Sequence, residues 1–292
     1  MTVVENREWK MVPISIAVAG LLAITAVGAS GTWTTRALAQ PGSSPGASTA
    51  VVREKTFEHA LFDALLKQHV VKGFVDYPAF AAAPAFSQYL RALDAARLDG
   101  MSEDERLAFW INVFNAYTIQ LINAHNETAS IRNINKTLGV LKLKGPWNEP
   151  LVRAAGRRLS LDDVYHRILR KEFAEPRTHF TLACGAVSCA SLRPEAYTGA
   201  KLVDQLNEQG MQFLRHAPDK TRLEEQFLWV SPIIMAYQSD FGASRREVMR
   251  ALAPWFDDAD RKKIERARFF MRQTTFDWTL NSVALAKQRG KL

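Results

Sequence analysis

The stretch from Glu103 to about Asn123 leaves little freedom of fold. Ser102 followed three positions later by Glu105 has the form of a capping box and opens a helix. Leu107, Trp110, Ile111, Phe114, Thr118, Leu121 and Ile122 then recur at the spacing of an amphipathic helix, but Phe109, Val113 and Ile119 occupy its other faces. A helix that is apolar all round belongs in the middle of a core. The remaining chain must wrap it, and 292 residues with 47% hydrophobic content and seven Trp suffice for one large domain or two small ones. Asn112 and Asn115 project side by side from this helix, and in an apolar setting each amide needs partners. Neighbouring backbone or a substrate could supply them.

The flanking chain alternates helical and strand signals. Phe57, Leu61, Leu65 and Leu66 recur at helical spacing, Gly73 to Pro78 is extended, and residues 79–96 form an Ala-rich helix. Residues 126–135 and 142–150 read as surface loops, and 151–159 as a hairpin turning at Gly156. Ser160 caps a helix over 161–173 that carries His166. Further helices are expected at 200–216, 232–237 and 245–256, a strand pair at 222–230 and a strand at 268–271. No internal repeat appears. The expected architecture is α+β: one domain over residues 51–285, its buried central helix packed with other helices against a small, mostly antiparallel sheet, followed by a basic tail at 286–292.

The N-terminus bears on the compartment. From Met11 to Thr35 no residue is charged, Arg7 and Lys10 precede the run and Arg36 follows it, so the segment is expected to enter a membrane. Ala37-Leu38-Ala39 has the small-x-small form of a cleavage site, and Val27-Gly28-Ala29 offers a second. The run is also long enough to span a bilayer as an uncleaved anchor. Both outcomes place the body of the protein in the periplasm or outside the cell. Residues 40–50 are a linker by composition. The formal charge of +8 falls to +7 when residues 1–39, with three basic and two acidic side chains, are removed. Basic residues are scattered, so no nucleic-acid partner is expected.

Chemistry concentrates between Thr178 and Cys189, which holds both cysteines and His179. Phe180, Leu182 and Cys184 alternate with His179, Thr181 and Ala183, the period of a half-buried strand, and Gly185 breaks it. In an oxidising compartment Cys184 and Cys189 could form a disulfide around a short glycine-containing loop. Alternatively a thiolate could act as nucleophile with His179 as base and Asp277 orienting the imidazole. On a regular strand His179 and Cys184 face opposite sides, so that pairing needs a bend or the use of Cys189. Metal binding is not expected, because no second close ligand pair accompanies the cysteines and the other histidines are dispersed. HExxH and phosphate-cradling glycine motifs are absent from the sequence, and no cofactor is expected. Trp110, Trp147 and Trp278 join Asn112 and Asn115 as candidate substrate contacts, Trp147 and Trp278 as the sides of a groove for a sugar or peptide.

Val75-Asp76-Tyr77, Ala108 to Ala116, His179-Phe180 with Cys184-Gly185 and Ser188-Cys189, Asp240-Phe241-Gly242, and Phe276 to Asn281 together resemble the Domain of Unknown Function 547 family, found in bacterial envelope proteins and some plant proteins. The resemblance runs from Phe57 to Asn281. Many relatives have prolines after the second cysteine, where this chain has Ala190-Ser191. The resemblance implies no assigned activity. The order of helix, histidine segment and late aspartate is also similar to transglutaminase-like and papain-like enzymes, though their thiol opens the central helix. Two functions are expected to compete. One is an envelope hydrolase or acyl transferase, thiol- or His/Asp-dependent, acting on peptide or amide bonds; the other is a non-catalytic envelope binding or scaffold module with a structural disulfide. A cell-envelope peptide or polymer would be the partner of either.

Overall fold

The computed structural model describes residues 55–134, 145–266 and 270–292, which fall within one compact unit, Glu54–Leu292. The uncharged run at 11–35, the cleavage sites and the linker lie outside the described residues. Among the described residues no helix is long and apolar enough to cross a membrane.

Helix α1 (Ala60–His69) buries Phe62, Leu65 and Leu66, whereas Leu61, expected on the same face, is 40% exposed. A tight hairpin of β1 (Val70–Val71) and β2 (Phe74–Val75) follows. The expected helix over 79–96 is two helices, α2 (Tyr77–Ala82) and α3 (Pro84–Ala95), because Pro84 removes a backbone donor and starts a new first turn.

Helix α4 (Glu103–Ala124) is the expected central helix, buried from Leu107 to Ile119. Ser102 caps it through the Glu105 N–H. Glu105 does not complete the capping box. Its carboxylate, 4% exposed, accepts instead from the backbone N–H groups of Phe57 at 3.0 Å and Gly199 at 2.7 Å. One buried acid thus ties the start of α4 to two distant segments.

Hairpin β3 (Val152–Ala154) with β4 (Arg157–Leu159) turns at Ala155-Gly156, as expected. Helix α5 opens at Leu161–Asp163 with a reciprocal Ser160/Asp163 cap and continues as a π-helix over Val164–Phe173. Beyond it come α6 (Leu202–Leu214), β5 (Arg222–Glu224), β6 (Phe227–Val230), α7 (Pro232–Ala236), α8 (Gln238–Phe241), α9 (Arg245–Leu252), α10 (Asp258–Arg266), β7 (Phe270–Gln273) and α11 (Val283–Gln288). Helix α11, capped by Ser282, crosses residue 285, so part of the expected tail belongs to the folded unit.

The single small sheet expected from the sequence is three among the described residues: β1-β2, β3-β4 and β5-β6-β7. Among the strand pairs of the described residues only β6-β7 is parallel, and its connection runs through α7 to α10, as a parallel pair requires. Two apolar clusters fill the unit. The larger surrounds α4; the smaller joins β6 and β7 to α9 and the end of α6.

Candidate functional site around His179

The segment expected to be a strand is not one. Pro176 begins a 3-10 turn, Pro176–Phe180, and the chain then runs irregularly to the cysteines. Period-two alternation is misleading here because both parities are buried, Phe180 in the smaller cluster and Leu182 and Ala183 in the larger. The stretch is a seam between two cores.

Cys184 and Cys189 form a disulfide across five positions, with Cα atoms 5.6 Å apart. The loop they close is pinned on both sides. Gly185, with φ +87°, presses against Ile122 and Ile131, where an added Cβ would sit 3.0 and 2.9 Å from their side chains. Val187 N–H donates to the Thr279 carbonyl at 2.9 Å, Asp277 N–H to Ser188 Oγ at 2.8 Å, and Ala186 bridges Leu280. The carbonyl of Asn281 accepts from Val75 N–H at 2.9 Å, and its side chain accepts from the Tyr77 hydroxyl. Three sequence signatures far apart in the chain are therefore the joints of one backbone assembly.

Asn112 and Asn115 serve the same end. Asn112 donates to the Tyr197 carbonyl at 2.8 Å and accepts from its N–H at 3.0 Å. Asn115 bridges the Thr181 carbonyl at 3.1 Å and the Ala183 N–H at 2.9 Å. At 1% and 2% exposure, neither amide has room for a substrate. Trp110 is likewise core, at 2% exposure. Trp147 and Trp278 do meet, half-buried, with ring centroids 6.4 Å apart and the Arg132 guanidinium 5.2 Å over Trp278.

His179 has partners the sequence reading missed. Its Nε2 lies 2.9 Å from Asp240 Oδ2 and its Nδ1 2.6 Å from the Tyr165 hydroxyl, and its ring stacks on Tyr237 at 4.9 Å. A carboxylate only accepts, so Nε2 carries the proton and the Tyr165 O–H donates to Nδ1. Burial lowers the His179 pKa against the upward pull of Asp240, and the ring is neutral at pH 7. Asp240 is in turn held by Arg170, whose Nε and Nη2 donate to its two oxygens at 2.6 and 2.7 Å. Burial pushes the Asp240 carboxyl up, but hydrogen bonds from Arg170 and His179 outweigh it and keep the group below the usual carboxylate range.

The π-helix explains how Tyr165 and Arg170 serve one cluster. Five residues apart, they would point roughly 140° from each other on an α-helix. Bonding from i to i+5 returns both to one face. The cleft beside them, about 270 Å³, is lined by Arg170, Glu175, Thr178, His179, Ser239 and Asp240 among others. A ligand entering it meets Arg170 and Asp240 rather than a free imidazole nitrogen, since the His179 side chain is 1% exposed.

Asp277, expected to orient His179, does not. Its carboxylate accepts from the Thr279 N–H at 2.9 Å and from Arg289 at 3.1 Å. Asp240 fills that place, 61 residues from His179 in sequence. It stands inside the Asp240-Phe241-Gly242 signature, the one available hint of its importance. Among the described residues no group of three His, Cys, Asp or Glu side chains is arranged to hold a metal ion.

No curated protein and no solved structure matches the chain. A family model described as "Protein of unknown function, DUF547" matches residues 98–214. The matched segment contains α4 with Asn112 and Asn115, Tyr165, Arg170, His179 and both cysteines. Over that segment the chain is similar to the DUF547 family.

Proposed function

We propose that the chain is an exported envelope protein whose domain works as a binding or scaffold module, rather than as a thiol- or His/Asp-dependent hydrolase or acyl transferase. One observation carries this reading: the side chains such a mechanism needs are committed to internal bonds. The cysteines are paired, both His179 nitrogens are bonded, and Asn112 and Asn115 each bond backbone through both the nitrogen and the oxygen of the amide. A general base must present a nitrogen to the nucleophile, and His179 presents one to a phenol and the other to a carboxylate. Export is supported by the uncharged run at 11–35 and by the disulfide, which persists in oxidising compartments. The Trp147–Trp278 pair supports a peptide or polymer partner.

Incubating the native, unreduced protein with iodoacetamide and with a peptide-derived electrophile tests the reading by mass spectrometry. No adduct is expected at Cys184, Cys189 or His179. Modification of any of the three without prior unfolding would overturn it.

A further inference from the structure

A second cavity, about 200 Å³, lies where the β1-β2 turn, the disulfide loop, the segment after α6 and the C-terminus meet. Lys220 is its most unusual wall. The residue is 6% exposed, its Nζ donates to Ser191 Oγ at 3.3 Å, and the ammonium lies 5.6 Å from the Phe213 ring centroid. Among the described residues no ion pair joins it. An ammonium has three donors, and burying one against a single neutral hydroxyl is unfavourable, so an apolar side chain would serve the fold better.

The hairpin turn adds a second departure from the cheapest structure. Lys72 has φ +50°, a left-handed conformation that Asn, Asp and Gly adopt more easily than lysine. That strained turn presents a lysine to the same cavity, and Lys291 lines it too. Against these three cations the lining has one acid, Asp219, leaving two net positive charges among its lysines and acid. A phosphate group carries about −1.5 to −2 at pH 7. Ser191, Gln212 and Asn281 supply neutral donors beside the lysines.

We infer that this cavity binds a phosphate group, carried by a soluble phosphate ester or by a phospholipid headgroup. The inference rests on the binding-module reading and names its ligand class. Burial lowers Lys220 to about 8, with Asp219 raising it and Lys291 lowering it further. Binding therefore weakens as pH rises past about 8 and the ammonium loses its proton.

The test is thermal melting of the oxidised protein in inorganic phosphate against chloride at equal ionic strength. A saturable rise in Tm specific to phosphate is expected. Lys220→Met removes the charge at nearly constant shape, and Lys72→Asn suits the turn. Both are expected to melt, without phosphate, no lower than the natural protein, and Lys220→Met to bind phosphate about tenfold or more weakly, as loss of a charged hydrogen bond implies. Co-sedimentation with phosphatidylglycerol but not phosphatidylcholine vesicles, lost in Lys220→Met, identifies a lipid source; phosphate binding without vesicle retention identifies a soluble one. Absence of a saturable phosphate effect, or unchanged affinity in Lys220→Met, overturns the inference. That failure leaves the module reading intact, because adducts at Cys184, Cys189 or His179 judge it separately.

Discussion

Replacing Asp240 by alanine is expected to lower the unfolding free energy by about 3 kcal/mol, whereas the same change at Asp277 is expected to lower it by about 1 kcal/mol or less. Asp240 accepts three charged or buried donors, two from Arg170 and one from His179. Its removal strands a guanidinium that packs 4.6 Å over Tyr237 and the N–H of a buried imidazole. The pair is 23% and 22% exposed, so water relieves part of the loss and the lower end of the range for broken buried ion pairs applies. Asp277 and Arg289 are 39% and 46% exposed, where screening leaves an ion pair worth little. Urea midpoints at constant m-value measure both. The reverse ranking would return the imidazole's orienting role to Asp277.

Acid is expected to destabilise the domain well before its carboxylates titrate. His59 is 3% exposed, with Nδ1 2.7 Å from the Tyr89 hydroxyl and no hydrogen-bond partner for its Nε2. Burial lowers its pKa to about 3, with Asp63 opposing weakly. Burial also lowers His166 and His179. In the unfolded chain a histidine titrates near 6.5. Between there and about 3 the unfolded state binds more protons, so stability from His59 is complete above pH 6.5 and is lost as pH falls. At about 1.4 kcal/mol per unit, His59 alone removes about 3 kcal/mol by pH 4.5. Asp240 acts in a lower window, since its stabilisation is lost only below the ordinary carboxylate pKa. Denaturant unfolding from pH 7 to 4.5 checks the slope, which His59→Gln is expected to reduce by close to one proton. An unchanged slope would mean that His59 is protonated in the folded state.

Local rules made much of this fold legible. The Ser102 and Ser160 caps, the all-round apolar run of α4 and the Gly156 turn each determine their element from a few neighbouring residues. Legibility failed where tertiary context decides. The run from His179 to Ala183 alternates like a strand, yet residues of both parities are buried, Phe180 in one core and Leu182 and Ala183 in the other, and Pro176 had already set a 3-10 turn. Helix α10 has little apolar content to announce it, and α11 was hidden by its basic end. At the site, Asn112 and Asn115 were recognised as buried amides needing partners, and backbone supplied them. The Tyr165–His179–Asp240–Arg170 chain was missed because it depends on a π-helical register and on a contact across 61 residues. Nothing local encodes either.

The Cys/His stretch is a structural seam, with its thiols joined in a bond. Counting thiols tests it most directly, on the full chain produced with its own N-terminus, denatured in N-ethylmaleimide and weighed intact. No maleimide adduct is expected before reduction and two are expected after it, on Cys184 and Cys189. One or two adducts on the unreduced protein would contradict it and restore a free thiol as a candidate nucleophile.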